Sequence, residues 1–174
     1  MRVLTVRQPW AWAIIHGGKD VENRVRSLGP YRGPVAIHAG LDIDFDAERD
    51  DTLREAWGEA RMPTWEISGQ PLFWEHRGER AWLPRGVVIG VVNLTGTHKG
   101  PNTYRDRMRA VRSCYMPGKP FGLCSPWAIP DHHHLVLEDP RPLARPIPAK
   151  GRLGLWRPDA DLEAAILDQL DGGA

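Results

Sequence analysis

The sequence predicts an α+β fold: a small, partly closed β-barrel of five to six strands with helices on its outside. The first observation is a set of short apolar runs, RVLTV (2–6), VAIHA (35–39), VVIGVVNLTG (87–96) and HHLVLED (133–139), each bounded by turn residues. The second is their spacing: helical patterns separate only some of them, whereas a doubly wound parallel sheet needs helix and strand in regular alternation. The third is size. A chain of 174 residues, 41% apolar and 26% charged, suits one hydrophobic core and excludes a disordered chain.

Residues 2–6 alternate apolar and polar, as a half-buried strand does. Pro9 stands where a helix can begin, because the first helical position needs no N–H. In WAWAIIH the residues Trp10, Ala13 and Ile14 share one face, and Gly17-Gly18 supply a stop for the helix over 9–16. Lys19 to Arg24 then run out as an extended segment, and GPYRGP (29–34) is a turn. VAIHA is a short strand. Residues 44–60 read as an acidic helix with Phe45, Leu53, Ala56 and Trp57 as its apolar stripe. Pro63, Gly69, Pro71, Gly78 and Pro84 break every pattern in 61–85, which reads as an insertion or flap.

The Val/Ile content of 87–95 marks a central strand. Residues 98–122 read as part helix, over 103–112, and part loop. After the strand over 133–138 comes the Pro-rich PRPLARPIP, then a strand over 152–156. An amphipathic helix from Pro158 to about Leu170 carries Leu162, Ala165, Ile166 and Leu170. One domain over 1–174, with insertions near 41–85 and 98–120, accounts for the whole chain.

Composition excludes several classes of function. No apolar run reaches the ~20 residues of a membrane span. The start MRVLTVRQPW has no apolar core of a secretory signal, so a cytoplasmic protein is expected. Two cysteines, Cys114 and Cys124, exclude a disulfide scaffold and a four-cysteine zinc site. The net charge of +1 conceals two opposed segments. Residues 41–60 hold eight acids against two arginines. Residues 98–120 hold Lys99, Arg105, Arg107, Arg109, Arg112 and Lys119 against Asp106 alone. A polyanion, if one binds, would dock its backbone on the second segment, through Arg105, Arg107, Arg109 and Arg112.

HGGKD (16–20) lacks the spacing of a phosphate loop, and neither G-x-S-x-G nor H-E-x-x-H occurs. His132 and His134 would share a strand face, with Asp131 nearby. No second ligand cluster stands at a recognisable spacing, so neither a metal nor any other cofactor is expected.

The segment 5–39 gathers polar groups around one helix. Gln8 and Trp10 lie at its entry; Lys19, Glu22 and Arg24 leave its exit; Arg32 lies at the next turn and His38 near the end of the next strand. If the two strands are neighbours, these groups line one cleft. The plainer alternative is a capping network that joins helix to strand.

LTVRQPWA, then I-x-x-G-x-K-x-x-E-x-R ending at Arg24, then YRGPVAIHA resemble the ASCH domain (activating signal cointegrator homology) of the PUA-like superfamily. PIPAKGRLGLW (146–156) resembles that family's closing strand. The resemblance is specific over 4–39 and 146–156, loose over 86–97 and 123–137, and absent over 41–85 and 98–120. It implies a PUA-like β-barrel with flanking helices, and a cleft between barrel and first helix that holds Lys19, Glu22 and Arg24. It also implies RNA as a class of partner. Two activities occur among ASCH proteins, ribonuclease action and hydrolysis of N4-acetylcytidine. The second uses a Lys with a nucleophilic Thr three positions later, and that position here is Glu22.

Binding is therefore the first functional reading: an RNA, single-stranded DNA or nucleotide-binding module with a cationic cleft. Lys19, Arg24 and Arg32 would supply charge, Trp127 in SPWAIP a stacking surface, and Gln8 a donor and acceptor for a base edge. A hydrolase or ribonuclease at the same cleft, with Lys19 and Glu22 as acid and base, is the alternative. A protein-interaction module, supported by the acidic helix alone, is the third.

Overall fold

The computed structural model describes residues 1–59, 73–76, 79–102, 114 and 123–172. Among them the chain runs β1 (Arg2–Gln8), α1 (Trp10–His16), β2 (Val21–Arg24), β3 (Gly33–Ile43), a 3-10 turn (Phe45–Arg49), α2 (Asp51–Glu59), β4 (Phe73–His76), β5 (Glu79–Trp82), β6 (Val87–Lys99), β7 (His133–Pro148), β8 (Leu155–Trp156) and α3 (Ala160–Asp171). Six strands form one mixed sheet in the order β2-β7-β6-β3-β1-β8, and β4 and β5 form a separate hairpin. β1 and β3 pair in parallel; the other neighbours are antiparallel. The architecture is the predicted α+β half-barrel with helices against it.

Alternation in the strands decides which face carries which core. Leu4 and Val6 of β1, with Val35, Ile37 and Ala39 of β3, point into the barrel and meet Ala11, Ile14 and Ile15 of α1. Val3 and Ala36 point the other way and join Val88, Val91, Leu143 and Trp156 beneath Ile166 of α3. Both faces of the central strand are covered, which is why VVIGVV is an unbroken apolar run. Along β6 the inward residues are Val87, Ile89, Val92 and Leu94. Register shifts between Val88 and Gly90, and between Val91 and Asn93, explain the change of phase midway.

Gly90 lies under α1 at that shift. A Cβ there would stand 2.6 Å from Ile15 Cδ1 and 2.8 Å from the Arg141 carbonyl oxygen, and the backbone oxygen cannot rotate away. Gly90→Ala is expected to destabilise the protein by about 1–3 kcal/mol through overpacking. Urea denaturation checks this, and a midpoint equal to the parent's would show that the helix can lift without cost.

A second core packs against the outer side of α1. It joins Trp12 and Ala13 to Ala47, Leu53, Trp57, Leu83 and Trp127. The Trp12 and Trp57 rings are 4.7 Å apart, within the range of favourable aromatic pairs. The acidic segment is thus a short 3-10 turn followed by α2, broken at Asp50, whose side chain accepts from Leu53 N–H at 2.8 Å. Phe45, expected in its buried stripe, is 74% exposed; Leu53 and Trp57 are buried as expected.

The largest difference from the sequence reading is PRPLARPIP, which continues β7 to Pro148. Prolines fit there because β2 pairs with residues 133–136, leaving the rest of β7 a sheet edge on that side among the described residues. Asp139 takes φ +53°, and three register shifts against β6 fall along the strand. Gln169 of α3 covers part of this edge. Its amide accepts from Arg145 N–H at 2.9 Å and donates to Arg145 O at 3.1 Å, in place of a strand partner. β8 is shorter than the strand expected over 152–156. The hairpin β4–β5 falls in a segment read as an insertion or flap. The helix expected over 103–112 lies outside the described residues. No helix among the described residues is long and apolar enough to cross a membrane.

Candidate functional site

The end of α1 determines where Lys19 points. Gly18 takes φ +70°, a left-handed conformation that suits glycine, and the chain folds back so that Lys19 N–H donates to Ala13 O at 2.9 Å. The side chain then runs between two indoles. Lys19 Nζ is 5.5 Å from the Trp10 ring centre and 5.7 Å from that of Trp127, and the rings meet edge to face. Lys19 is 4% exposed and donates to Val21 O.

β2 brings the counter-charges. Glu22 Oε2 lies 3.7 Å from Lys19 Nζ, and its Oε1 lies 3.0 Å from Arg24 Nη2. That same Nη2 donates to Thr5 O at 2.8 Å, so Arg24 links β2 at one edge of the sheet to β1 near the other and helps close the barrel. Arg24 Nε is buried without a hydrogen-bond partner among the described residues. Burial pushes the Lys19 ammonium below its ordinary pKa, against the opposing pull of Glu22, Asp50 and Asp20.

The cluster expected to line a cationic cleft is largely buried and mixed in charge. Lys19 and Arg24 face Glu22, with Asp20 and Asp50 close enough to act on Lys19, and Asp44 accepts from Trp10 Nε1 at 2.9 Å. Such a set offers donors and acceptors to a polar, planar group better than it attracts a phosphate.

The other predicted residues divide. Gln8 is fully buried and spends both ends of its amide on the protein: Oε1 accepts from Trp12 N–H at 3.1 Å, capping α1, and Nε2 donates to Pro84 O at 2.9 Å. That is the arrangement of the capping alternative. His38 points to the opposite face of β3, where Nε2 meets Ala149 O at 2.9 Å and the ring lies near Trp156. It stands away from Lys19, because its neighbours Ile37 and Ala39 point toward α1 and adjacent residues on a strand face opposite ways. Arg32 is exposed, bonded to Tyr31 O and Thr97 Oγ1. Trp127 is buried at 9% exposure, whereas Trp10 is half-buried. Arg105, Arg107, Arg109 and Arg112 lie outside the described residues. A cavity of about 340 Å³ lined by Arg2, Leu28, Pro30, Tyr31 and Leu155 includes none of the predicted residues.

Sequence reasoning missed the groups that hold Trp127 in place. Asn23 Nδ2 donates to Trp127 O at 2.8 Å, and its Oδ1 accepts from Ile129 N–H at 2.9 Å. Ser125 Oγ donates to Asp20 and accepts from Trp127 N–H at 3.0 Å. The available signal was an amide in a four-residue strand, beside a loop, SPWAIP, whose prolines leave it few backbone bonds of its own.

No protein-family model matches the sequence, and no curated protein does. Among the solved structures that match are three of an ASCH protein. One is ASCH from Zymomonas mobilis, 16% identical, with a TM-score of 0.49 over 95% of this chain and 93% of that one. Two single-substitution variants of the Zymomonas ASCH protein match at the same identity and TM-score, over 96% and 94% of their chains. Within the 4–39 segment Lys19, Glu22 and Arg24 stand together, while Gln8 and His38 have separate structural duties.

His132 lies before β7, so it does not share a strand face with His134 as expected. His132 turns Nδ1 to Pro130 O at 2.9 Å, and His134 instead stands with His98, Cys114 and Cys124.

Proposed function

We propose that the protein is a nucleic-acid or nucleotide-binding module, acting in the cytoplasm on RNA or another single strand, with the Lys19–Glu22–Arg24 cluster as its recognition site. The observation that supports it most is a buried lysine held between two indole rings beside an arginine whose Nε has no partner among the described residues. A charge held against its solvation is a mark of functional sites. A nucleobase suits the mixed charge: Lys19 and Arg24 donate to ring nitrogens and carbonyls, Glu22 accepts from an amino group, and Trp10, the more exposed indole, takes the stacked face. Single strands present such unstacked bases. The phosphates fall to the basic segment 98–120 rather than to the cluster.

Fluorescence titration with a short single-stranded RNA tests this, since Trp10 and Trp127 both lie at the site. The expected result is quenching with an affinity that falls as salt rises. Absence of binding at low salt would overturn the proposal.

A lysine with a depressed pKa is also what a general base requires, and this favours the hydrolase as second reading. The acetylcytidine route is nevertheless expected to fail, because the nucleophilic hydroxyl it needs is replaced by the Glu22 carboxylate, which Arg24 and Lys19 already engage. Incubation with N4-acetylcytidine should release no cytidine by chromatography. Multiple turnovers, abolished in Lys19→Ala, would show the lysine–glutamate pair to be catalytic.

A further inference from the structure

His98 at the end of β6 and His134 at the start of β7 are ladder partners, and the chain between them returns Cys114 and Cys124 to the same point. The ligand atoms of all four lie within 4.8 Å of one another. His134 Nδ1 stands 3.3 Å from Cys114 Sγ, 3.3 Å from Cys124 Sγ and 3.3 Å from His98 Nε2. One nitrogen lone pair accepts one hydrogen bond, so three potential donors around it are more than hydrogen bonding needs. We propose that these four side chains form a structural zinc site, a use of the fold independent of what the Lys19 cluster binds.

The geometry fits that ion. With Zn–N near 2.0–2.1 Å and Zn–S near 2.3 Å, a tetrahedron has N–N edges of about 3.3–3.4 Å, N–S edges of about 3.6 Å and S–S edges of about 3.8 Å. The spacings around His134 Nδ1 are already close to these, and the widest separation has about 1 Å to contract, within reach of a cysteine rotamer change. The ring of His134 is also oriented for ligation. Nε2 bonds Ile129 O at 2.8 Å as a donor, which keeps the proton there and leaves the Nδ1 lone pair facing the cluster. Gly100 makes room for that ring: a Cβ would stand 2.7 Å from His134 Cε1.

The chemistry fits as well. Two thiolates with two neutral imidazoles are a soft, nitrogen–sulfur set with no position left for water, the pattern of structural rather than catalytic zinc. On binding, each thiol loses its proton to solvent, two S–H bonds are replaced by two Zn–S bonds, and the two negative sulfurs cancel the charge of the ion. A neutral site is compatible with Cys114 and His134, both fully buried. The ion would clip the connection that contains the basic segment. It would also brace the candidate recognition site, since His134 holds Ile129 O, Ile129 N–H binds Asn23, and Asn23 holds Trp127 O.

Metal analysis of the purified, reduced protein tests the proposal, followed by cobalt reconstitution of apo-protein. One zinc per chain is expected, together with the intense visible bands of tetrahedral cobalt and a thiolate-to-cobalt charge-transfer band. Cys124→Ser and His98→Ala should lose the metal on gel filtration, and His133→Ala, whose ring is outside the cluster, should keep it. If the cysteine variants do not fold, the cobalt spectrum of the parent decides alone. Iron in place of zinc, a Cys114–Cys124 disulfide that takes up no cobalt after reduction, or freely titrating thiols with no cobalt spectrum would each overturn it.

Discussion

Glu22→Leu is expected to lower stability by about 3–5 kcal/mol, because removing one member of a buried ion pair strands its partner in a medium that solvates it poorly. Glu22 balances two cations at once: Lys19, at 4% exposure, and Arg24, through Oε1 at 3.0 Å. Without the carboxylate, among the described residues Lys19 keeps the Val21 carbonyl as its hydrogen-bond acceptor, and Arg24 keeps Thr5 O. For a chain of this size the loss corresponds to a fall in Tm of about 6–20 °C. Differential scanning calorimetry checks it, and a Tm within about 2 °C of the parent would show that the network is not balanced by Glu22.

The pH dependence identifies the cause. Burial holds the folded-state pKa of Lys19 below its ordinary value of 10.5. Between the two values the unfolded chain binds more protons than the folded one, so this group's contribution to stability rises with pH across that window. Leu at position 22 removes the largest of the influences that oppose burial, leaving those of Asp50 and Asp20, so the folded-state pKa drops further and the window extends to lower pH. The Tm deficit of Glu22→Leu should therefore shrink as pH is raised from neutral toward about 10, where the lysine no longer has to be buried charged. A deficit that stays constant with pH would instead indicate lost packing.

Legibility in the sequence followed how locally each feature is encoded. Period-two apolar patterns and a Pro–Gly bracketed helix are local, so β1, α1, β3, β6 and α3 are readable from their own residues. β7 beyond Glu138 is not, because its prolines are tolerated only on account of where β2 stops, and that is a fact of pairing. The site divides in the same way. Lys19, Glu22 and Arg24 fall within six residues and meet, as their spacing suggested. Gln8 and His38 carry functional-looking side chains, but their partners, Pro84 O and Ala149 O, are backbone atoms that no motif announces. The His98–Cys114–Cys124–His134 group was hidden for a third reason: its ligands are spread over a connection of more than thirty residues, and only the antiparallel return of β6 into β7 brings them together.

Lys19→Met separates recognition from stability. Methionine is unbranched and apolar and can lie between the same two indoles, and Glu22 retains Arg24 as a partner. The fold should therefore lose less stability than in Glu22→Leu, because no buried charge is left without a counter-charge. Ligand binding should weaken. A hydrogen bond from a charged donor contributes about 1.5–3 kcal/mol, which is about 10- to 100-fold in affinity. On the proposed reading Lys19 touches the base, so the loss should be as large for a mononucleotide as for an oligonucleotide and nearly independent of salt. Neutralising Arg107 and Arg109 makes the contrast. Phosphate contacts in that segment would weaken only longer strands, fade at high salt, and lower the salt slope by ~0.7 for each contact removed. Titrating both variants with a mononucleotide and with a ten-nucleotide RNA at two salt concentrations distinguishes the cases. Equal losses for the two variants at both lengths would show that Lys19 contributes charge alone, and parent-like binding by a well-folded Lys19→Met would remove the lysine from the recognition site.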